Sequence, residues 1–181
     1  MKDSRLIPVD HSRDILPAYR GSPVGELIGM HNLGRRHKRH ARAAILIGMC
    51  MDNRKSLKLP ENFAFVLRVG GANINRMLFK ISFAIAVGGI RAIAIVAHNH
   101  CGMAELPGRR AEFVRGLVAV GWTRKAAESH YREFAPVFAI PEPIAFAAAS
   151  AADLRRRYPK VLVAPLLYRL EDNRLYQIRE D

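Results

Sequence analysis

The sequence predicts an α/β fold with a mostly parallel central sheet of about four strands, a short antiparallel strand at its C-terminal end, and helices on both faces. Short, continuous apolar runs of strand length alternate along the chain with longer segments of helical periodicity. The chain has 181 residues, of which 50% are hydrophobic, so it can bury a substantial core. These two observations together favour parallel strands joined by helices.

The elements follow in order along the chain. The four parallel strands are predicted over residues 43–49, 63–68, 92–97 and 161–168, and the short last strand over 174–178. Helices are predicted over residues 25–42, with an interruption near Gly34, and over 74–86, 108–120, 123–134 and 142–157. Because Pro165 lacks the N–H that a central strand needs, we expect its strand to lie near an edge of the sheet.

No repeat or linker divides the sequence, so we predict a single domain over residues 1–181. Residues 1–42 would form an N-terminal arm and helix, and residues 43–181 the α/β core. The opening segment, MKDSRLIPVDHSRD, is charged throughout, and the longest alanine-rich stretch is too short to cross a bilayer. We therefore expect a cytoplasmic protein with no membrane partner.

The chain is strongly basic, with 29 Lys and Arg against 16 Asp and Glu and a net charge of +13. The densest basic run extends from Arg35 to Arg42. Clustered Lys and Arg favour phosphate contacts. Because the sequence has no known nucleic-acid motif, nucleic acid is not predicted as a partner, and the run is interpreted as a solvated helix face.

Potential metal ligands stand at the ends of two predicted strands. Cys50 follows the first strand directly, and His98 follows the third, with Cys101 three residues later. The carboxyl ends of parallel strands meet at one edge of a sheet, so these side chains can converge if the two strands are neighbours. Two thiolates and one imidazole suit Zn²⁺, and three protein ligands leave a fourth position open. The alternative is two buried structural cysteines and a hydrogen-bonded histidine.

A second pair of polar residues lies next to the first cysteine. Asp52 is two residues beyond Cys50, and Arg54 two residues beyond Asp52. In an extended turn the carboxylate could face the open metal position while the guanidinium holds it ionised. Alone, the pair is equally compatible with an ordinary ion pair in a loop.

The combined pattern resembles the β-class carbonic anhydrase signature. The resemblance extends from about residue 43 to residue 178. Its main part is C-x-D-x-R at 50–54, followed by H-x-x-C-G at 98–102. Residues 65–74 are similar to the family's R-N-A-G-N segment, Cys101-Gly102-Met103 to the C-G-M of its shorter archaeal-type members, and residues 167–175 to its terminal hairpin. Motif order and spacing agree with the family, which strengthens the zinc hypothesis.

The resemblance implies a zinc enzyme that hydrates CO₂ to bicarbonate and a proton by attack of zinc-bound hydroxide. It implies Cys50, His98 and Cys101 as metal ligands. Asp52 would orient the hydroxide, Arg54 would hold Asp52, and the backbone N–H of Gly102, at the expected start of a helix, would stabilise the developing anion. It also implies a homodimer or a larger homo-oligomer.

Departures from the family pattern leave other functions open. His100 stands where the family usually has Asp or Lys, and residues 69–71 depart from R-N-A-G-N. Carbonyl sulfide and carbon disulfide hydrolases resemble the same family and use the same ligands. A zinc-binding module of low activity, with a basic face that binds nucleic acid, is a further alternative. His100 itself is close in sequence to the predicted ligands and is a candidate proton carrier, or a loop histidine without a role.

Overall fold

Six strands form one sheet in the computed structural model of the protein, which describes residues 4–180. The strands are β1 (Leu6–Ile7), β2 (Ile45–Met49), β3 (Ala64–Arg68), β4 (Ala92–His98), β5 (Leu162–Arg169) and β6 (Arg174–Ile178), in the spatial order β1-β6-β5-β4-β2-β3. β2, β3, β4 and β5 pair in parallel, whereas β6 and β1 are antiparallel to their neighbours. The predicted fold class is confirmed.

Helices cover both faces of this sheet. They are α1 (Pro23–Leu33), α2 (Leu78–Ala86), α3 (Arg110–Ala119), α4 (Arg124–Phe138) and α5 (Pro143–Arg157). One apolar core lies between the sheet and α1, and the other between the sheet and both α2 and α5. Within residues 4–180 no single helix is long and apolar enough to cross a membrane; α4 and α5 meet that test only as a pair bent by 65°.

The two central strands are buried on both sides, as their apolar runs predict. Successive residues of β4 enter opposite cores: Val96 packs in the core beside α1, and Ile95 and Ala97 pack in the other. β2 lies directly beside β4, with Met49 aligned with Val96. Their carboxyl ends therefore lie side by side at one edge of the sheet.

The N-terminal region differs from the prediction in two ways. Residues 6 and 7 lie in the predicted N-terminal arm, where no strand was expected, but they form β1 on the outer edge of β6. The helix predicted over 25–42 begins at Pro23, capped by the Ser22 side chain, and ends at Leu33. Gly34 adopts a left-handed conformation with φ 62° and stops the helix. The basic run beyond it is therefore not a helix face, and that prediction is wrong.

Pro165 was expected to place its strand near an edge, and this is also wrong. β5 lies in the interior of the sheet, between β6 and β4. Pro165 is aligned with Ile95 of β4, but the β6 pairing begins one residue later, at Leu166. The strand tolerates the missing N–H because this residue lies outside the β5–β6 ladder.

Candidate metal centre

Three potential metal ligands converge at the shared edge of β2 and β4. Cys50 follows β2, His98 is the last residue of β4, and Cys101 lies in the turn that follows. All three are buried, and their ligand atoms lie within 4.8 Å of one another. The two sulfurs are 4.0 Å apart. Two sulfurs bound tetrahedrally to one zinc ion at about 2.3 Å would be about 3.8 Å apart, so the spacing suits zinc.

The imidazole of His98 is oriented for metal binding. Its Nδ1 lies 2.8 Å from the carbonyl oxygen of Asn99, which can only accept, so Nδ1 carries the hydrogen. Nε2 then carries no hydrogen, and its lone pair is available to a metal. The side chain has no solvent exposure, and Nε2 has no hydrogen-bond partner among the residues described. A buried, unpaired nitrogen whose other ring nitrogen is fixed by a carbonyl is typical of a metal-ligating histidine.

The two thiols shift each other's pKa in opposite directions. The hydrogen bond with Cys101 lowers the pKa of the Cys50 thiol, and the same contact raises the pKa of Cys101. The backbone N–H of Gly71 also donates to the Cys50 sulfur, at 3.3 Å. The pair therefore holds one thiolate ready for a cation, and a metal would displace the remaining proton.

Gly71 makes this close approach because it has no side chain. Its φ is +66°, and a Cβ there would lie 2.9 Å from the Ile140 side chain. Only glycine adopts that conformation readily and leaves the N–H free to reach the sulfur. The glycine pair of residues 70–71, which departs from the R-N-A-G-N pattern, thus has a local structural reason.

Asp52 and Arg54 form a paired carboxylate and guanidinium beside the ligands. The Nε of Arg54 lies 3.1 Å from both carboxylate oxygens, and its Nη2 lies 2.6 Å from Oδ2. These hydrogen bonds hold the pKa of the Asp52 carboxyl far below its usual range. The Nη2 of Arg54 also donates to the His100 carbonyl, at 2.9 Å, which anchors the pair to the turn that carries Cys101. Oδ2 of Asp52 lies 3.9 Å from Nε2 of His98.

An open cleft of about 710 Å³ begins at this pair. Asp52, Arg54, His100 and Gly102 line one end, and the side chains of Met103, Leu106, Phe113 and Leu117 contribute an apolar wall. The cleft thus combines an ionised carboxylate with apolar surface, as small-molecule sites commonly do.

The two remaining candidates lie at the rim. Gly102 lies in a turn, and helical structure begins four residues later, with a 3₁₀ segment over Leu106–Arg109. The expectation that its N–H opens a helix is therefore wrong. His100 is largely exposed, and its Nε2 lies 3.2 Å from a carboxylate oxygen of Glu171. Its role as a proton carrier stays a prediction.

Two cations next to the site were not singled out from the sequence. Lys55 is 1% exposed, and its ammonium donates to the carbonyl of Cys50 at 3.1 Å. Arg68, at the end of β3, donates to the carbonyls of Asp52 and Lys55 at 3.3 and 3.4 Å. Lys55 directly follows Arg54 in the sequence, but lysine is rarely buried, so nothing in the pattern indicated its place.

Lys55→Met is expected to lower zinc affinity by roughly 10- to 100-fold, the usual effect of removing an outer-shell partner. The substitution removes a donor that fixes the backbone of Cys50 and a positive charge near two sulfurs. Competition with a chromogenic chelator measures the affinity. Lys58→Met, three residues along and exposed, is the matched control. Equal affinities for the two variants would show that Lys55 does not support the site.

Comparisons with known proteins connect this geometry to a fold. No known family profile matches the chain, and no curated protein sequence is significantly similar to it. Solved structures do match. A β-carbonic anhydrase from Trichomonas vaginalis has a TM-score of 0.62 at 17% identity, covering 81% of this chain and 90% of its own. A carbonic anhydrase from Glaciozyma antarctica has a TM-score of 0.60 at 21% identity, covering 75% and 83%.

A carbon disulfide hydrolase is also similar, with a TM-score of 0.57 at 16% identity and coverage of 77% of this chain and 80% of its own. Sequence identities this low show similarity of fold and do not assign a function. The chain therefore has the fold of the β-carbonic anhydrases, a fold that carbon disulfide hydrolase shares.

Proposed function

We propose that this chain is a zinc enzyme that reversibly hydrates CO₂ to bicarbonate and a proton. One observation carries the proposal: the bare Nε2 of His98 lies among two cysteine sulfurs and 3.9 Å from a carboxylate held ionised by Arg54. A structural zinc site has four protein ligands, whereas a catalytic site keeps one position open. Three ligands beside an ionised carboxylate favour the catalytic arrangement.

Cys50, His98 and Cys101 would hold the ion. A zinc ion bound by three protein ligands lowers the pKa of a coordinated water toward 7 and so supplies a nucleophile at neutral pH. Asp52 would accept a hydrogen bond from this nucleophile and so orient it toward the substrate. Arg54 keeps that carboxylate ionised and fixed in direction through its three contacts with the carboxylate oxygens.

The cleft suits a small, apolar substrate. Leu106, Phe113 and Leu117 offer apolar surface to CO₂, which needs few polar contacts. The backbone N–H of Gly102 is the candidate donor to the oxygen that becomes negative as bicarbonate forms. His100, exposed at the rim, is the candidate that passes the released proton to solvent.

Hydrolysis of carbonyl sulfide or carbon disulfide is the second candidate, favoured by the similarity to a carbon disulfide hydrolase. Zinc-loaded protein should be assayed for CO₂ hydration by stopped flow and for sulfide release from both sulfur substrates. The proposal predicts a CO₂ hydration rate well above the buffer rate and no comparable sulfide release. Sulfide release with negligible CO₂ hydration would instead assign the second function.

We also propose that the chain assembles with a second copy through the free edge of β3. β3 is the outermost strand on its side, so its outer N–H and C=O groups have no strand partner among residues 4–180. Phe65 and Val66 of this strand are 42% and 41% exposed, and Phe79 of the nearby α2 is 84% exposed. Antiparallel pairing of two β3 strands would cover these apolar side chains.

Val66→Lys is expected to convert the dimer to a monomer, because a lysine on an edge strand opposes strand pairing. Sedimentation velocity measures the change. Val120→Lys, in the exposed loop between α3 and α4, is the control and should leave the dimer intact. A wild-type protein that sediments as a monomer at all concentrations would contradict the assembly.

A further inference from the structure

The basic run from Arg35 to Arg42 forms an ordered surface feature. It follows the end of α1 as a segment without helix or strand. Every residue in it is exposed except His40, which is partly buried. The run holds five Lys and Arg side chains and no carboxylate, so its charge is not balanced locally.

Three residues fix the segment to the body of the protein. Arg35 donates to the Ser12 hydroxyl, and its backbone N–H donates to the carbonyl of Gly29. His37 lies 3.2 Å from the sulfur of Met30. His40 lies 3.0 Å from a carboxylate oxygen of Glu26, and its ring packs against Phe63 at 4.9 Å between centroids. The backbone between these anchors therefore has a defined path.

The side chains between and beyond the anchors are free. Arg36, Lys38, Arg39 and Arg42, here called the basic strip, are exposed and make no hydrogen bond or ion pair to any residue within 4–180. Arg36 and Lys38 also line a groove of about 380 Å³ that Arg20 and Ser22 share. Glu26 is the carboxylate in this groove, and it is paired with His40. The strip thus presents four uncompensated cations on an anchored backbone.

We propose that the basic strip binds the phosphate backbone of nucleic acid. An extended backbone over residues 36–42 spans up to about 20 Å, the length of about six nucleotides along one strand of B-form DNA. Three of the four cations are arginines, whose planar guanidinium matches phosphate oxygens in two-point contacts. No Phe, Tyr or Trp lies within the run, so we expect the strip to contact phosphates and not bases.

Nucleic acid fits this surface better than an anionic membrane does. Stable membrane attachment needs a second, apolar signal besides a basic cluster. The run contains no apolar side chain larger than that of Ala41. The expectation from the sequence was the opposite, because it rested on the absence of a known motif. The anchored path of the backbone and the unpaired side chains change that conclusion. The proposal that the strip binds nucleic acid does not depend on the metal centre.

The test is fluorescence anisotropy of the full chain with a labelled single-stranded DNA of about 20 nucleotides, at salt between about 50 and 200 mM. Four phosphate contacts predict that wild-type affinity falls about 50-fold over this range. The strip variant changes Arg36, Lys38, Arg39 and Arg42 to Gln. The control variant removes the same charges from α3 and α4, by changing Arg110, Arg115, Lys125 and Arg132 to Gln; these four are also exposed.

The strip variant is expected to bind at least about 10-fold more weakly than wild type at low salt, with the slope of log affinity against log salt reduced by about 3. The control variant should stay within about 3-fold of wild type. Equal losses in both variants would show that only net charge matters and would overturn the proposal. So would absence of binding at low salt, or tighter binding to vesicles rich in phosphatidylserine than to the oligonucleotide.

Discussion

Cys50→Ser is expected to abolish stoichiometric zinc binding, and with it CO₂ hydration. The substitution replaces the thiolate that the Gly71 N–H and the Cys101 thiol stabilise with a hydroxyl that does not ionise near neutral pH. The loss of zinc affinity should exceed the roughly 10- to 100-fold that follows loss of an outer-shell partner. Metal analysis after dialysis and chelator competition measure it.

Cys101→Ser should behave in the same way, because both sulfurs lie within ligand distance of the same point. Met51→Ser, next to Cys50 and 68% exposed, is the control for local disturbance of the loop. Circular dichroism should show that the serine variants keep the fold, because neither cysteine belongs to the two cores that pack on the sheet. If either serine variant retained one zinc ion per chain with unchanged affinity, the three-ligand site would be refuted.

Asp52→Ala is expected to retain zinc and to lose about 100- to 1,000-fold in kcat/KM for CO₂ hydration. The carboxylate is not one of the three converging ligands, so the metal should stay. The variant loses the Asp52 carboxylate, whose Oδ2 lies 3.9 Å from His98 Nε2. This carboxylate is the group proposed to orient the nucleophile. Stopped-flow hydration with parallel zinc analysis separates the two effects.

Asp153→Ala is the control for Asp52→Ala, since it breaks a different aspartate–arginine pair, with Arg156, exposed on α5. It should leave both zinc content and kcat/KM unchanged. A kcat/KM for Asp52→Ala equal to that of wild type would remove Asp52 from the mechanism. A variant without zinc would instead place Asp52 among the groups that hold the metal.

The arrangement of the three ligands was predictable because it follows from topology. Two apolar runs of strand length, each ending at a ligand, place Cys50 and His98 at the same edge once β2 and β4 are neighbours. Cys101, three residues after His98, then needs only a turn of the chain to reach the other two ligands. The sequence does not by itself require that β2 and β4 pair, and the observed pairing supplies this condition.

Features set by tertiary contacts were not predictable in this way. The two-residue strand β1 carries too short a pattern to be recognised, and it exists because the edge of β6 is available. The path of the basic run depends on side-chain contacts of Arg35, His37 and His40 with residues 7 to 23 positions away. Lysine is a residue type typical of protein surfaces. Lys55 is nevertheless buried, because the Cys50 carbonyl accepts a hydrogen bond from its ammonium.

Zinc K-edge X-ray absorption of the zinc-loaded protein tests the metal centre most directly. We predict one zinc ion per chain, with two sulfur neighbours at about 2.3 Å and nitrogen or oxygen neighbours at about 2.0 Å. Replacement of either cysteine by serine should remove a sulfur neighbour or the metal itself. A first shell of nitrogen and oxygen alone, or a protein that binds no zinc, would contradict the account.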